Sequence, residues 1–434
     1  MTSSDDCAAS RTAPVAGRAE LLALLGEIEK EQRINEAAVN LVPSENRISP
    51  WAGAPLRTDF YNRYFFNDSL DPQGWQFRGG EGIGRLEKEL ALPALRRLGR
   101  ADHVNIRPVS GMSAMLVVLL GLGGEPGDGV VCVDAETGGH YATGRQIAML
   151  GRRPLPVRVV AGRVDLDALR TALTSCHVPL VYLDLQNSLW ELDVAGVAEV
   201  IARTSPRTVL HVDCSHTLGL ILGGSHKNPL DLGADTTGGS THKTFPGPQK
   251  GVLFTRDENL SRKIRDAQFF TISSHHFAET LALALAAAEF EHFGAAYSRQ
   301  VLINARAFAH RLRERGFGVV EGGPQLTDTH QVWVRLPLEE SADAFSAQLA
   351  SLGIRVNVQT ELPDIPEPAL RLGVSEITLN GGREPAMETL AEIFALVRAG
   401  EATKAVDLFQ VLPHEMGEPY FFTGLPQEAG LFHG

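Results

Sequence analysis

The sequence predicts an α/β fold with a large, mostly parallel sheet and a smaller α+β domain at the C-terminal end. From Gly111 onward, helical patterns alternate with short β-branched runs, which is typical of parallel strands covered by helices on both faces. After about residue 298 this alternation gives way to a long helix followed by strands. We therefore predict an N-terminal arm and helix at 1–80, a large α/β domain at 81–297 and a small domain at 298–434.

The individual elements follow from local patterns along the chain. Residues 1–18 are small and polar and predict no regular structure, whereas a helical pattern begins at Ala19. The large domain has predicted helices at "AMLVVLLGLG", "GRQIAMLG", "DLDALRTAL" and "VAGVAEVIARTS". Its predicted strands are "GVVCVDAE", "VRVV", "VPLVYLDL", "TVLHVDCSH", "GADTTGGSTHKTF" and "GVLFTR". A buried helix "ETLALALAAAEF" precedes the small domain, which begins with a separate helix "RQVLINARAFAHRLRERG".

Composition excludes several classes of function. The 434 residues carry a net charge of −12, which disfavours binding to nucleic acid or to an anionic membrane. The four cysteines are scattered without a CxxC pair, so we expect neither disulfides nor a metal site. The N-terminus lacks the pattern of a secretory signal, and the longest apolar stretch is too short to span a membrane. We therefore expect a cytoplasmic protein.

Polar residues follow three of the predicted strands. "VVCVDAETGGH" ends at His140, "VLHVDCSHTLG" carries Asp213 and His216, and "GADTTGGSTHKTFPGP" carries His242 and Lys243. Ligands of open α/β sheets bind beyond the carboxyl ends of the strands. Taken singly, each of these residues equally fits a structural hydrogen bond or a loop cap. The segment "GGEGIG" lacks the spacing of a dinucleotide fingerprint and no strand precedes it.

Taken together, these residues predict a pyridoxal phosphate site. This cofactor needs a carboxylate against its pyridine nitrogen and a lysine for its aldehyde, as Asp213 and Lys243 could provide. Its phosphate needs hydroxyl and backbone N–H groups at the start of a helix. The segment "RPVSGMSAML" offers Ser110, Gly111 and Ser113 at such a position.

Six motifs, in order, resemble those of the serine hydroxymethyltransferase family. They are "NLVPSENRISP", "ETGGH", "HVDCSHTLGL", "STHKTFPGP", "TDTHQVWV" and "ALRLGVSEITLNG", and the resemblance runs from about residue 20 to 400. This resemblance implies a pyridoxal-phosphate-dependent transferase of fold type I, the aspartate aminotransferase-like fold. It also implies a homodimer with shared active sites.

The resemblance implies a role for each cofactor residue. Lys243 would be the Schiff-base lysine, and Asp213 would be the partner of the pyridine nitrogen. His140 would stack on the cofactor ring, and His216 would hydrogen-bond near its phenolic oxygen. His242, next to the lysine, would be either a further cofactor contact or a packing residue.

The substrate residues are implied in the same way. Arg371 would hold the substrate carboxylate with help from Ser44, since a planar guanidinium suits a bidentate clamp. Arg371 could instead form a structural ion pair, and Ser44 could merely cap a helix. Either Tyr61 or Tyr64 would match the substrate-facing tyrosine of the family, although their aromatic segment equally fits a core or dimer contact.

Departures from the family's folate-binding pattern decide the expected reaction. The glutamate expected after the tyrosine is replaced by Phe66 or Arg63, depending on which tyrosine matches. The loop "PGPQKG" and the segments "GIRVNVQT" and "TISSHHFAET" also differ from the parent pattern. These changes resemble the L-threonine transaldolases, a branch of the family found in natural-product pathways.

This branch implies retro-aldol cleavage of L-threonine to acetaldehyde and a glycyl quinonoid, followed by addition to a second aldehyde. The product would be a β-hydroxy-α-amino acid, and His140 is our first choice for the base that starts cleavage. A folate-dependent hydroxymethyltransferase, a threonine aldolase and a non-catalytic cofactor-binding sensor remain as alternatives. The acceptor aldehyde is left open; residues 67–82 and the tail 412–434 are expected to shape its pocket.

Overall fold

The computed structural model describes residues 17–64 and 81–424, apart from the side chain of Ile83. The chain divides into two compact units, Met1–Val39 and Asn40–Gly434. In the first unit the predicted N-terminal helix is confirmed as α1, Arg18–Ala37, and none of its residues is buried. Everything below concerns the second unit.

The helices and strands have the following bounds. The remaining helices are α2 (Pro50–Gly53), α3 (Glu81–Leu86), α4 (Leu92–Gly99), α5 (Gly111–Leu122), α6 (Thr143–Met149), α7 (Leu166–Ser175), α8 (Val194–Thr204), α9 (Leu218–Leu222), α10 (Glu258–Phe269), α11 (Phe277–Glu314), α12 (Ala342–Ser351), α13 (Ser375–Leu379), α14 (Glu384–Arg398) and α15 (Ala402–Val411). The strands are β1 (Val39–Asn40), β2 (His103–Asn105), β3 (Gly129–Val133), β4 (Arg153–Val157), β5 (Val159–Val160), β6 (Arg163–Val164), β7 (Leu180–Asp184), β8 (Val209–Asp213), β9 (Thr236–Ser240), β10 (Gly251–Thr255), β11 (Gly318–Val319), β12 (Gln331–Arg335), β13 (Ile354–Arg355), β14 (Asn357–Gln359) and β15 (Ala369–Gly373).

Seven strands form the large sheet in the order β2-β10-β9-β8-β7-β3-β4. The pairs from β9 through β4 are parallel, whereas β10 runs antiparallel to β9 and to β2. Alternate residues of each central strand face opposite sides: Val131 packs toward α7 and α8, and Val130 packs toward α5 and α10. The predicted mostly parallel sheet, covered on both faces, is therefore confirmed.

The C-terminal part contains a four-stranded antiparallel sheet in the order β11-β12-β15-β14. It follows α11, a single helix of 38 residues. The prediction of two separate helices here was wrong, because Gly294 does not end the first one. A Cβ at Gly294 would overlap the ring of Phe290, so the glycine allows close packing inside a continuous helix. The helix runs through the predicted boundary at 297/298, and that division remains a prediction.

Two predicted strands have different bounds. β4 begins at Arg153, earlier than the predicted "VRVV"; its two prolines are tolerated because it is an edge strand. β9 ends at Ser240, so the prediction that a strand continues to Lys243 was wrong. Beyond Ser240 the backbone forms a turn, in which Gly247 N donates to Thr241 O at 2.9 Å. Lys243 therefore lies in a turn just beyond the sheet.

Within residues 17–64 and 81–424, no helix is both long enough and apolar enough to cross a membrane.

Candidate active site

A cavity of about 220 Å³ lies beyond the carboxyl ends of β3, β7, β8 and β9. Seven of the predicted cofactor residues line it: Ser110, Gly111, His140, Asp213, His216, His242 and Lys243. Three different strand ends contribute to one site because the carboxyl ends of parallel strands meet at the same edge.

The main chain around Lys243 is held from outside the sheet. Asn46 Nδ2 donates to Lys243 O at 2.6 Å and to Tyr297 Oη at 3.1 Å. The Tyr297 hydroxyl in turn donates to Thr244 O at 2.9 Å. Both carbonyls at this turn are therefore satisfied, which fixes the direction in which the lysine side chain leaves the backbone.

The Lys243 amine has a lowered pKa. Burial is the main cause, the charge of Arg371 adds to it, and the charge of Asp213 opposes it; the resulting pKa is about 8. A buried ammonium is poorly solvated, so the neutral amine is more accessible here than in water. A neutral amine is the form that attacks an aldehyde.

The loop that follows Lys243 is anchored by Lys250. This lysine is fully buried, and its Nζ donates to His275 O at 2.6 Å. Burial lowers its pKa to about 8, although the carboxylates of Glu279 and Glu87 oppose the change. His275 also bonds Glu87 at 3.0 Å, so a buried polar network joins the loop to the segment before α11.

Asp213 is the last residue of β8, and two donors hold its carboxylate. Tyr182 Oη donates to Oδ2 at 2.7 Å, and Ser215 N donates to Oδ1 at 2.9 Å. Burial and the nearby Asp213 charge raise the Tyr182 pKa well above its usual range, so this hydroxyl remains a donor. The two bonds hold the carboxylate in place at the cavity.

His140 lies at the cavity wall, partly buried. Its backbone N donates to Asp184 Oδ1 at 3.3 Å, and Ala142 N donates to its Nδ1 at 3.2 Å. The ring of Tyr141 stacks on it with centroids 4.7 Å apart. Burial lowers the His140 pKa, opposed by Asp213 and supported by Lys243. The ring is thus neutral near pH 7, with its proton on Nε2 in this arrangement.

Asp184 forms a second carboxylate beside Asp213. It ends β7, is paired in register with Asp213, and lines the cavity. Burial raises its pKa to about 7, and the charge of Asp213 adds to that rise. Its other oxygen accepts a hydrogen bond from the Thr143 hydroxyl. Asp184 therefore fixes both ends of the turn that carries His140.

The start of α5 forms the predicted phosphate-binding corner. Ser110 is the N-cap: Ser113 N donates to Ser110 Oγ at 3.1 Å, and Ser110 N donates to Ser113 Oγ at 2.9 Å. Ser113 is therefore committed to capping the helix and does not line the cavity. A Cβ at Gly111 would overlap Ser240 Oγ, so the close approach of α5 to β9 requires glycine.

Two stacked imidazoles lie on the other side of the cavity. His216 is buried, its Nδ1 has no hydrogen-bond partner among the described residues, and its ring lies 5.6 Å from that of His330. Burial is the main reason that the His216 pKa lies well below its usual range. His330 bonds Pro43 O through Nε2 at 3.1 Å. His242 lines the cavity with a buried Nδ1 that also has no described partner.

Arg371 lies in β15 and is almost completely buried. Its Nη1 donates to Asn187 Oδ1, and its Nε has no described acceptor. Burial lowers its pKa to about 10, which still leaves it charged at neutral pH. No carboxylate in the described part of the chain pairs with it, which disfavours the structural ion pair.

Ser44 lies in a loop that is held on both sides at the site. Pro43 O bonds His330, and Asn46 bonds the carbonyl of Lys243. The two neighbours of this loop position are therefore held at the site, whereas Ser44 itself does not line the cavity, and its role remains a prediction.

The predicted tyrosines are not at this cavity. Tyr61 and Tyr64 are 60% and 45% exposed, and neither lines the cavity of its own chain. Their role as substrate contacts therefore remains a prediction. Phe66, most of the predicted acceptor segment 67–82 and the tail beyond residue 424 lie outside the described residues.

Among the residues missed at the level of sequence, four hydrogen-bond predicted site residues through the contacts described above: Asn46, Tyr182, Asp184 and Asn187. Tyr297, also missed, bonds Asn46 and the carbonyl of Thr244. Asn46 belongs to the motif "NLVPSENRISP", and Asp184 ends a predicted strand next to that of Asp213. Both could have been found by examining every polar residue at a strand end or within a motif. Neither tyrosine had such a signal.

The comparisons with known proteins agree with this geometry. The sequence profile of the serine hydroxymethyltransferase family matches residues 20–394. The chain belongs to the serine hydroxymethyltransferase family. Within it, the chain is 53% identical, over 94% of its length and 99% of the relative, to an L-threonine:uridine-5'-aldehyde transaldolase from Amycolatopsis sp.. It is 33% identical to a serine hydroxymethyltransferase from Staphylothermus marinus, over 83% of this chain and 82% of the relative.

A solved family structure has the same fold. It is the L-threonine transaldolase from Pseudomonas fluorescens in its internal aldimine state, with a TM-score of 0.82 and 26% identity. The match covers 93% of this chain and 94% of that chain.

The residues present fit pyridoxal phosphate, the cofactor that the family resemblance implies. The buried Nδ1 atoms of His216 and His242 have no described partner and lie in side chains that line the cavity. The same cavity contains an amine with a lowered pKa, a carboxylate and the N-terminus of a helix. These are the groups that bind an aldehyde, a pyridinium and a phosphate.

Proposed function

We propose that the protein is a pyridoxal-phosphate-dependent L-threonine transaldolase. It cleaves L-threonine to acetaldehyde and transfers the remaining glycyl unit to a second aldehyde, giving a β-hydroxy-α-amino acid. The observation that carries the proposal is the 53% identity, over nearly the whole of both chains, to a relative with that activity in its name. The residues present support it, because the lysine and aspartate that the chemistry needs line the cavity. The arginine does not line it, but its charge acts on the Lys243 amine.

The cofactor site is assigned to five residues. Lys243 would hold the cofactor covalently, Asp213 would bind its pyridine nitrogen, and His140 would contact its ring. Ser110 and Gly111, at the start of α5, would bind its phosphate. When bound, pyridoxal phosphate supplies an electron-poor ring that accepts the electron pair of the broken Cα–Cβ bond.

The amino-acid donor is bound by its carboxylate. Arg371 would supply a buried positive charge that has no counter-ion among the described residues, and Ser44 would supply a hydroxyl. Fixing the carboxylate decides which bond at Cα stands perpendicular to the cofactor ring, and hence which bond breaks.

His140 is proposed to take the proton of the β-hydroxyl group as the Cα–Cβ bond breaks. It is neutral near pH 7 and lies at the cavity wall. The basic lone pair of its neutral ring is on Nδ1, which the Ala142 N–H occupies at 3.2 Å. Proton uptake at Nδ1 therefore requires that this long hydrogen bond be released.

We propose further that two chains assemble into a homodimer in which Tyr61 and Tyr64 of one chain complete the site of the other. Both rings are exposed and stand outside the cavity of their own chain. We also propose a nucleoside 5'-aldehyde as the acceptor, because the relative from Amycolatopsis is named for uridine-5'-aldehyde.

The activity is tested by incubating the purified holoenzyme with L-threonine and measuring acetaldehyde with and without uridine-5'-aldehyde. We expect acetaldehyde release that rises with the acceptor, together with a new amino acid that contains both fragments. Release that is indifferent to every acceptor would instead indicate a threonine aldolase. Serine turnover that depends on tetrahydrofolate would indicate the parent activity, and no response to any amino acid would favour a non-catalytic sensor.

A further inference from the structure

The backbone of Arg371 is fixed in the middle of a sheet. Its strand, β15, pairs with β12 through Trp333 and with β14 through Asn357. The side chain is only 4% exposed, so it cannot reach bulk water for hydration. The direction of the guanidinium group therefore depends on what its nitrogens contact.

Only one of those nitrogens is held by the protein. Nη1 donates to Asn187 Oδ1 and makes a long contact of 3.5 Å with Gln186 O. Nε is buried and has no acceptor among residues 17–64 and 81–424. Because Asn187 occupies Nη1, the edge formed by Nε and Nη2 has no hydrogen-bond partner among the described residues. Such an edge can bind both oxygens of a carboxylate.

The backbone of Asn187 is held by its neighbours. Asn187 is buried, and its backbone N donates to Gly138 O at 3.1 Å, beside the bond from Gln186 N to the same oxygen at 2.9 Å. A Cβ at Gly138 would overlap Asn187 O, so the two segments approach closely only because residue 138 is glycine. Gly138 belongs to the turn that leads to His140. The segment at the end of β7 therefore connects the arginine to the cofactor-facing turn.

A purely structural role explains this arrangement poorly. A buried arginine that only supports the fold would be expected to have its donors satisfied, since each unpaired buried donor costs about 1–3 kcal/mol. Here an orphaned Nε lies next to a firmly held Nη1. That asymmetry is the arrangement expected of a side chain held from one side for a ligand on the other.

We propose that Asn187 is a positioning residue that sets the affinity for the amino-acid donor. It holds the guanidinium of Arg371 so that the Nε–Nη2 edge receives the donor carboxylate. This inference rests on the proposed function, in that it assumes an amino-acid substrate.

The test compares Asn187→Leu and Asn187→Ala with the wild-type holoenzyme. Each protein is titrated with L-threonine and with L-threoninamide, which lacks the carboxylate, and binding is followed by the absorbance of the bound cofactor. Because a hydrogen bond to a charged group is at stake, we expect the dissociation constant for L-threonine to rise roughly 10- to 100-fold. The constant for L-threoninamide should stay within about twofold, since a neutral amide does not need the oriented cation.

Asn228→Leu is the matched control. Asn228 is another buried asparagine, which donates to Gly99 O at 2.7 Å and does not line the cavity. This variant should lower the melting temperature but leave the ratio of the two dissociation constants unchanged.

Two outcomes would overturn the inference. Wild-type affinity for L-threonine in both Asn187 variants would show that Arg371 needs no positioning. Equal losses for L-threonine and L-threoninamide would show that Asn187 acts only on the fold. Arg371→Leu distinguishes the positioning role of Asn187 from the proposed function itself. If that variant binds L-threonine normally, Arg371 does not bind the donor carboxylate.

Discussion

The burial of Lys243 lowers the pKa of its amine and so makes the amine more reactive than that of an exposed lysine. A lysine in water is almost entirely protonated at neutral pH, whereas burial brings the pKa of Lys243 to about 8. The free amine is then a substantial fraction near neutrality. Asn46 and Tyr297 hold the neighbouring carbonyls, so the side chain has a fixed origin as well as a suitable protonation state.

This predicts the pH dependence of cofactor loading. The protonated amine cannot attack an aldehyde, so the rate of pyridoxal phosphate uptake by the apoenzyme should be low below pH 8 and rise with pH to a plateau above it. Stopped-flow absorbance would measure the midpoint. Lys243→Ala should lose the absorbance band of the lysine-bound cofactor while keeping its fold. A midpoint near 10.5, the ordinary lysine value, would contradict the assignment.

The pH dependence of L-threonine cleavage depends on His140, which must be neutral to act as a base. Because burial lowers its pKa below 6.5, L-threonine cleavage should persist to below pH 6.5 before it declines. His140→Asn should reduce acetaldehyde release roughly 100-fold or more while L-threonine still binds. Tyr141→Phe, which keeps the ring that stacks on His140, serves as the control. An acid limb above pH 6.5 would argue for a different base.

At the scale of elements, the site depends on short connections that tie loops to one another. Tyr297, in the long helix α11, accepts from Asn46 and donates to Thr244 O. It therefore joins the N-terminal loop, the helix and the lysine turn through one hydroxyl group.

Removing that hydroxyl should be costly. We expect Tyr297→Phe to lower the free energy of unfolding by about 1–3 kcal/mol, because the buried carbonyl of Thr244 and the amide of Asn46 each lose a partner. Denaturant unfolding of the apoenzyme measures this. Tyr420→Phe is the matched control, since the Tyr420 ring packs against Tyr297 but its hydroxyl has no hydrogen bond among the described residues. Equal stability of the two variants would contradict the role given to Tyr297.

The contrast between predicted and observed elements has a physical basis. The spacing of apolar residues and the runs of β-branched residues reflect local backbone geometry. They therefore predicted the alternating helices, the covered sheet and the polar strand ends correctly. They could not predict that Tyr182 bonds Asp213 or that Asn187 bonds Arg371, because these contacts depend on how distant strands pair.

At the scale of the whole molecule, the site collects residues from distant parts of the chain. Asp213 ends a strand of the large sheet and Lys243 lies in the turn after another, and both line the cavity. The proposed substrate residues Ser44 and Arg371 come from an N-terminal loop and from the C-terminal sheet. Such a site forms only when the whole chain from Asn40 onward has folded. In the proposed homodimer, Tyr61 and Tyr64 of a second chain would complete it.

Hybrid dimers test this directly. Lys243→Ala and the Tyr61→Ala, Tyr64→Ala double variant are co-expressed with different tags, and the dimers that carry both tags are purified. If sites are shared, one site of each hybrid combines an intact lysine with intact tyrosines, so we expect about half the wild-type transaldolase activity per dimer. Dimers that pair either variant with itself should be inactive. An inactive hybrid would show that each chain supplies its own tyrosines. A monomeric mass measured by light scattering would contradict the proposed homodimer.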